Sequence, residues 1–174
     1  ELEAYVYKEG KIHFQKYKKG IPEHEVKIIG DTDITGTRVW FVPDDEIFTE
    51  LNPHYDVLAR RLRELAFLNK NIKITLIDER VKPEKKEKVF QFEGGIVSFV
   101  QFINKSKKSI HQPIYIKAEK DDIDLEVAIE YSNSYSENTY TFVNNINTTE
   151  GGTHLSGFKS ALTRTLNDFM KRLK

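Results

Sequence analysis

Asn144 to Asn167 reads N-N-I-N-T-T-E-G-G-T-H-L-S-G-F-K-S-A-L-T-R-T-L-N, and the contrast between its two halves decides the fold. The first half is polar and ends in Gly151-Gly152, a pair able to take backbone angles barred to other residues. Thr153 follows, and its hydroxyl is suited to accept from an orphan N–H of a first helical turn. From there Leu155, Phe158, Leu162, Leu166, Phe169 and Leu173 recur at steps of three and four, which sets them on one stripe of an amphipathic helix. Arg164 and Lys171 point away from the stripe, and Lys159 sits at its margin. Between Leu155 and Lys174, five cations (Lys159, Arg164, Lys171, Arg172, Lys174) stand against Asp168 alone, a net +4. On charge alone this is a solvated helix face; the sharper alternative is a surface that meets a polyanion.

Upstream of this stretch the patterns alternate between strand and helix. Leu2–Lys8 and Lys11–Lys19 alternate apolar and polar residues around Glu9-Gly10, a hairpin signature. Gly20-Ile21-Pro22 breaks the run, Val26–Ile29 is a short strand, and Thr37–Val42 is strongly β-prone until Pro43 ends it. Asp44–Pro53 is a connection with a helical turn near Ile47-Phe48. Tyr55–Asn69 is a helix with Tyr55, Leu58, Leu62, Leu65 and Ala66 on one face, and Ile72–Asp78 is a strand. Glu79–Lys88 is charged, contains Pro83 and lacks aromatics, so it reads as a linker or as a hairpin tip. A boundary near Lys88 divides the chain into residues 1–88 and 89–174. Val89–Glu93 is a strand; Gly94-Gly95 opens a helix with Ile96, Phe99, Val100 and Ile103 buried; Pro113–Glu119, Ile123–Tyr131 and Asn138–Val143 are strands. This order is mixed α+β rather than alternating βαβ.

Composition narrows the function. Of 174 residues, 39% are hydrophobic and 11% aromatic, enough for a packed core. The 27 basic residues balance 27 acidic ones, so any contact with nucleic acid must come from local clustering. The absence of cysteine excludes disulfides and thiolate metal sites. No apolar run approaches the roughly 20 residues of a membrane span. The chain opens at Glu1 inside a strand pattern, as expected of a fragment boundary. His13, His24, His54, His111 and His154 are scattered, and none has a second ligand at metal spacing. His154 stands out by its place in the helix-leading loop, where bonding to a loop carbonyl competes with a catalytic role that would need a partner. Gly30-Asp-Thr-Asp-Ile-Thr-Gly36 lacks the Lys and Ser/Thr of a phosphate loop and is a turn.

Four segments also carry a resemblance: T-T-E-G-G-T-H-L-S-G-F (148–158) with T-R-T-L-N (163–167), L-A-R-R-L-R-E-L-A-F-L-N (58–69), E-G-G-I-V-S-F-V (93–100), and V-A-I-E-Y-S-N-S-Y-S-E-N (127–138). In order and spacing they resemble the ATPase subunits of bacterial type IIA DNA topoisomerases, namely DNA gyrase B and its topoisomerase IV counterpart. The resemblance implies the last part of a Bergerat-type ATPase sandwich over 1–88, followed by the first part of an α/β transducer domain over 89–174. It matches Thr37 to an adenine-binding threonine, Val39 to a pocket wall, and Lys8 to an arginine near the pocket mouth. Lysine keeps that charge and loses the planar fork.

The family's catalytic glutamate, Mg²⁺-holding asparagine, adenine-binding aspartate and glycine-rich lid would lie upstream of Glu1. The glutamine and lysine aimed at the γ-phosphate would lie beyond Lys174. Phosphoryl transfer needs a base, a metal and a cation on that phosphate. The segment alone is therefore expected to be inactive and to hold neither ATP nor Mg²⁺, with no catalytic or metal residues of its own. The intact enzyme would use both. The resemblance further implies a homodimeric ATPase gate, the gyrase A protein (or its topoisomerase IV counterpart) and DNA as partners, and a cytoplasmic location. Lys159 matches a basic cavity residue that meets the transported DNA, and Arg164 and Lys171 join it from helical geometry. The competing expectation is a free-standing nucleic-acid or protein-binding module with a basic C-terminal helix. If part of the transducer sheet lies elsewhere, an edge or an apolar face of the last helix should stand exposed.

Overall fold

The computed structural model describes residues 1–80, 83 and 85–173. Val81, Lys82 and Glu84 of the charged stretch, and Lys174 of the helix charge count, lie outside the described residues. The chain divides into two compact units, Glu1–His54 and Tyr55–Lys174.

The first unit is an antiparallel sheet of β1 (Leu2–Lys8), β2 (Lys11–Lys18), β3 (Ile21–Pro22), β4 (Lys27–Asp31) and β5 (Gly36–Phe41). β5 pairs β1, β1 pairs β2, and β3 and β4 both pair β2 on its far side. Lys8 faces Lys11 across Glu9-Gly10, whose φ angles are 54° and 76°. Two positive φ values in a two-residue loop make a type I′ turn, whose twist matches that of the strands. Lys19-Gly20, at 52° and 81°, repeats the device. The expected break at Gly20-Ile21-Pro22 is thus a reversal into β3, with Pro22 on a short outer strand where its missing N–H costs nothing. After β5, Ile47 and Phe48 both donate their N–H to the Asp44 carbonyl, forming the expected helical turn.

The second unit contains α1 (Tyr55–Leu68), the hairpin β6 (Ile74–Asp78) and β7 (Lys86–Phe90), and α2 (Gly95–Asn104). After these come the hairpin β8 (Ile114–Lys120) and β9 (Ile123–Ile129), the hairpin β10 (Phe142–Val143) and β11 (Ile146–Asn147), and α3 (Thr153–Arg172). Its core is small and aromatic. Ala59, Ala66, Phe67, Phe90 and Phe99 are buried. The two alanines let α1 approach Phe90, with Tyr55, Leu62, Ile74, Leu76 and Phe92 packed around them. Phe67 stacks on Phe92 at 3.6 Å and on Phe99 at 5.1 Å between ring centroids.

Several local expectations change. The charged stretch ends in β7, which pairs back onto β6, so for its described part the hairpin-tip reading holds and the linker reading does not. The strand expected over 138–143 is paired only at Phe142–Val143, because Tyr140 turns its ring onto Phe99 at 5.4 Å. Asn144-Asn145 is not the start of a loop but a type I′ turn, with φ of 47° and 67°. The β8–β9 hairpin turns at Asp121-Asp122, also positive in φ, and leaves Ile114, Ile116, Ile123 and Leu125 exposed.

A sheet face and a basic helix as candidate functional sites

Within the first unit, alternation along the strands sorts the expected nucleotide contacts. Val6 pairs with Thr37 and Ala4 with Val39, so the even residues of β1 and the odd residues of β5 share one face. Lys8, two residues beyond Val6, is on that face too. The structure thus places Lys8, Thr37 and Val39 together, flanked by Leu2 and Phe41. The face is open: Val39 is 55% and Phe41 52% exposed. Lys8 forms an ion pair with Glu9 at 3.2 Å, both side chains largely in solvent. A hydroxyl, an apolar wall and a cation thus share one face, a set able to offer a hydrogen bond, a water-excluding surface and a positive charge to a ligand. The described residues suit a metal less well, since no group of three or more His, Asp or Glu side chains is placed to hold one.

In the second unit the site rests on how α3 begins. Gly152 is its N-cap, at φ 147°, and makes no side-chain capping bond. Thr153 is the first helical residue rather than the cap. Gly151, at φ 79°, precedes it. A Cβ on Gly152 would stand 2.9 Å from His154 Cε1, and one on Gly151 would stand 3.0 Å from Leu155 Cδ2. The backbone angles therefore favour glycine at both positions, and a side chain there would also push the His154 ring and the Leu155 tip aside. His154 Nε2 lies 3.2 Å from Thr148 Oγ1, so its partner is a hydroxyl and not a carbonyl.

The apolar stripe of α3 is covered only over its first half. Leu155, Phe158 and Leu162 are half-buried, whereas Leu166, Phe169 and Leu173 are 51%, 57% and 67% exposed. At 3.6 residues per turn, Arg164 and Lys171 fall within about 20° of each other, and Lys159 lies roughly 120–140° away. The three cations are therefore not one patch. Lys159 donates to Glu137 Oε1 at 2.8 Å, and Thr139 donates to the same oxygen at 2.7 Å. Those bonds, Lys159's first, hold the Glu137 carboxyl below its usual range. Lys171 is 3.8 Å from Asp168. Glu137 escaped the sequence reading because the pair spans 22 residues and no local pattern marks it. Among the described residues, no helix is long and apolar enough to cross a membrane.

Comparison with known proteins places these features. Residues 95–174 match the family model described as DNA gyrase B. The DNA gyrase B protein of Bacillus mycoides is 52% identical over 174 residues, covering 99% of this chain and 43% of the relative. That of Halalkalibacterium halodurans is 49% identical over 173 residues, covering 98% of this chain and 27% of the relative. The chain therefore spans less than half the length of the curated relatives it matches. Among solved structures, the 43K ATPase domain of Thermus thermophilus gyrase B, in complex with an aminocoumarin, superposes with a TM-score of 0.81 at 32% identity. That superposition covers 99% of this chain and 47% of that one. The gyrase B protein of Myxococcus xanthus, at 20% identity and a TM-score of 0.82, agrees in fold. The α+β class follows, and a free-standing module is not favoured, since the likeness runs across the whole chain inside longer proteins. In sequence and in fold, this chain belongs to the DNA gyrase B family, as a segment of its ATPase region.

Proposed function

We propose that this segment contributes one wall of an ATP site and the first half of a transducer, so that ATP binding in the intact enzyme is coupled to DNA strand passage and supercoiling. The observation that carries this is the continuous likeness to gyrase B proteins over 99% of the chain. The family division would fall at 88/89, with residues 1–88 in the nucleotide-binding domain and 89–174 in the transducer.

Bound ATP supplies the free energy of gate closure and, on hydrolysis, of release. Toward it, the Thr37 hydroxyl bonds the adenine, Val39 excludes water from the ring, and Lys8 places positive charge at the mouth of the site. The described residues include no group of three or more His, Asp or Glu placed to hold Mg²⁺. Lys159 meets the phosphates of the transported duplex, with Arg164 and Lys171 as flanking contacts on another side of α3. Such contacts are sequence-independent and weaken steeply with salt. Glu137 holds Lys159 from solvent-exposed positions on both sides, so a phosphate can displace it. The partners are DNA, the gyrase A protein and a second copy of the intact gyrase B protein, in the cytoplasm.

The test uses the intact gyrase B protein assembled with gyrase A. Lys159→Glu should lower ATP-dependent supercoiling while ATP binding stays near the parent value. Normal supercoiling by this variant removes Lys159 from the DNA path. In the same assay the 174-residue chain alone should release phosphate at the blank rate. Turnover above blank would overturn the assignment of the missing catalytic groups to other parts of the intact protein.

A further inference from the structure

The β10–β11 hairpin is fastened to α1 at two points. Arg61 Nη2 donates to the Asn145 carbonyl at 2.8 Å, and the Asn145 side-chain amide donates to Asn69 Oδ1 at 3.1 Å. Neither anchor is loose. Arg61 Nη1 is held by Glu64 Oε2 at 3.1 Å, which aims the other arm of the fork at the hairpin. Asn69 donates its own amide to the Leu65 carbonyl at 2.8 Å, closing the C-terminal end of α1. Residues 61, 65 and 69 fall on one face of a helix at steps of four. The two anchors are therefore about 12 Å apart along α1 at 1.5 Å per residue.

The hairpin is in turn fastened to α3. Beyond β11, Thr148 N–H donates to the Thr141 carbonyl at 2.8 Å, and Thr141 Oγ1 donates to the Thr148 carbonyl at 2.9 Å. Thr148 Oγ1 then meets His154 Nε2 in the first turn of α3. The glycines between them are fixed at angles that only glycine takes freely, so this connection is short and specific in shape.

We propose that Arg61 and Asn69 are positioning residues that tie the first turn of α3 to α1 through the Asn145 turn. When α1 moves, the basic helix moves with it. The proposal rests on the function proposed above, in which α1 belongs to the nucleotide-binding part and α3 carries the cations that meet DNA. Two of the bonds cross the 88/89 division, and this gives them a task beyond holding the fold: they carry a displacement from the nucleotide side to the DNA side. His154 is the last link and needs no catalytic partner.

The decisive variant is Asn145→Gly in the intact gyrase B protein assembled with gyrase A. Glycine keeps the positive φ of the turn and removes only the amide that reaches Asn69. The expected result is an ATP KM and a DNA-independent ATPase rate within about twofold of the parent, with supercoiling per ATP consumed reduced about tenfold. Asn69→Ala should give the same coupling loss with an added loss of stability, since it also removes the bond to the Leu65 carbonyl, and the double variant should couple no worse than Asn69→Ala alone, since the Asn145–Asn69 bond is common to both. Supercoiling per ATP at the parent level in Asn145→Gly overturns the proposal. So does a parallel loss of ATPase and supercoiling, which is the mark of a merely structural role. If the parent assembly shows no ATP-dependent supercoiling at all, it is the underlying function that fails and not the latch.

Discussion

The two units solve the problem of burial in opposite ways. In Tyr55–Lys174, a small aromatic core brings Phe67, Phe90 and Phe99 almost wholly out of water. In Glu1–His54, five strands pair into one sheet, yet none of the described apolar side chains is buried. A sheet that is one layer thick has satisfied its backbone and not its side chains. The difference teaches that register and cover are separate achievements. Type I′ turns and alternation set the first locally; the second needs a further layer. One of its two uncovered faces carries Thr37 and Val39.

The largest test of this contrast is to cut each unit at its most apolar point. Phe67→Ala should destabilise the second unit by about 3–5 kcal/mol, because it removes a buried ring and leaves a cavity. Val39→Ala in the same chain should change stability by less than about 0.5 kcal/mol, as befits an exposed site. Denaturant titration followed by tryptophan fluorescence for the first unit and helical circular dichroism for the second would separate them. Comparable losses from both substitutions would show that the sheet is covered after all.

A middle-sized effect is expected at the head of α3. Gly152→Ala forces a side chain into φ 147° and against His154, at a cost of about 1–3 kcal/mol. The helix should begin later, visible as lost amide protection from Ser156 onward through the next turn, since Ser156 donates the first bond of α3 to the Gly152 carbonyl. Unchanged protection would mean that the loop has another conformation open to it.

The smallest effect is confined to the β6–β7 tip. Arg80 grips Asp78 through Nε, Nη2 and its backbone N–H, and the Asp78 carboxyl is held at about 2. A carboxyl depressed by folding keeps its contact above the ordinary carboxylate range and loses it as pH falls from about 4 toward 2. An NMR titration of the Asp78 carboxyl should show that low midpoint, and Arg80→Ala should return it toward 3.8. A midpoint already at 3.8 in the parent would dissolve the pair.

Much of the fold was legible because its signals are local. Glu9-Gly10 declared its hairpin, and the three-and-four spacing from Leu155 to Leu173 declared α3. What escaped had long-range causes. Strand pairing stops short of Tyr140 because that ring packs on Phe99, 41 residues away in sequence. Thr153 looked like a cap, yet the glycine before it holds the position through an angle that no propensity scale records. The cations of α3 were visible one by one. That Glu137 holds Lys159, and that Arg61 and Asn69 meet at Asn145, could be seen only once the chain was folded. The face proposed to meet a nucleotide came from resemblance rather than from pattern, since Thr37 and Val39 look like any strand residues.

The β8–β9 hairpin has one more consequence. Toward its turn it is a ribbon whose Ile116, Ile123 and Leu125 stand in water, an invitation for a second copy to add a strand. Its sequence answers with Lys117, Glu119, Lys120, Asp121, Asp122, Asp124 and Glu126 packed into ten positions. That density of charge is the kind that blunts strand pairing between copies.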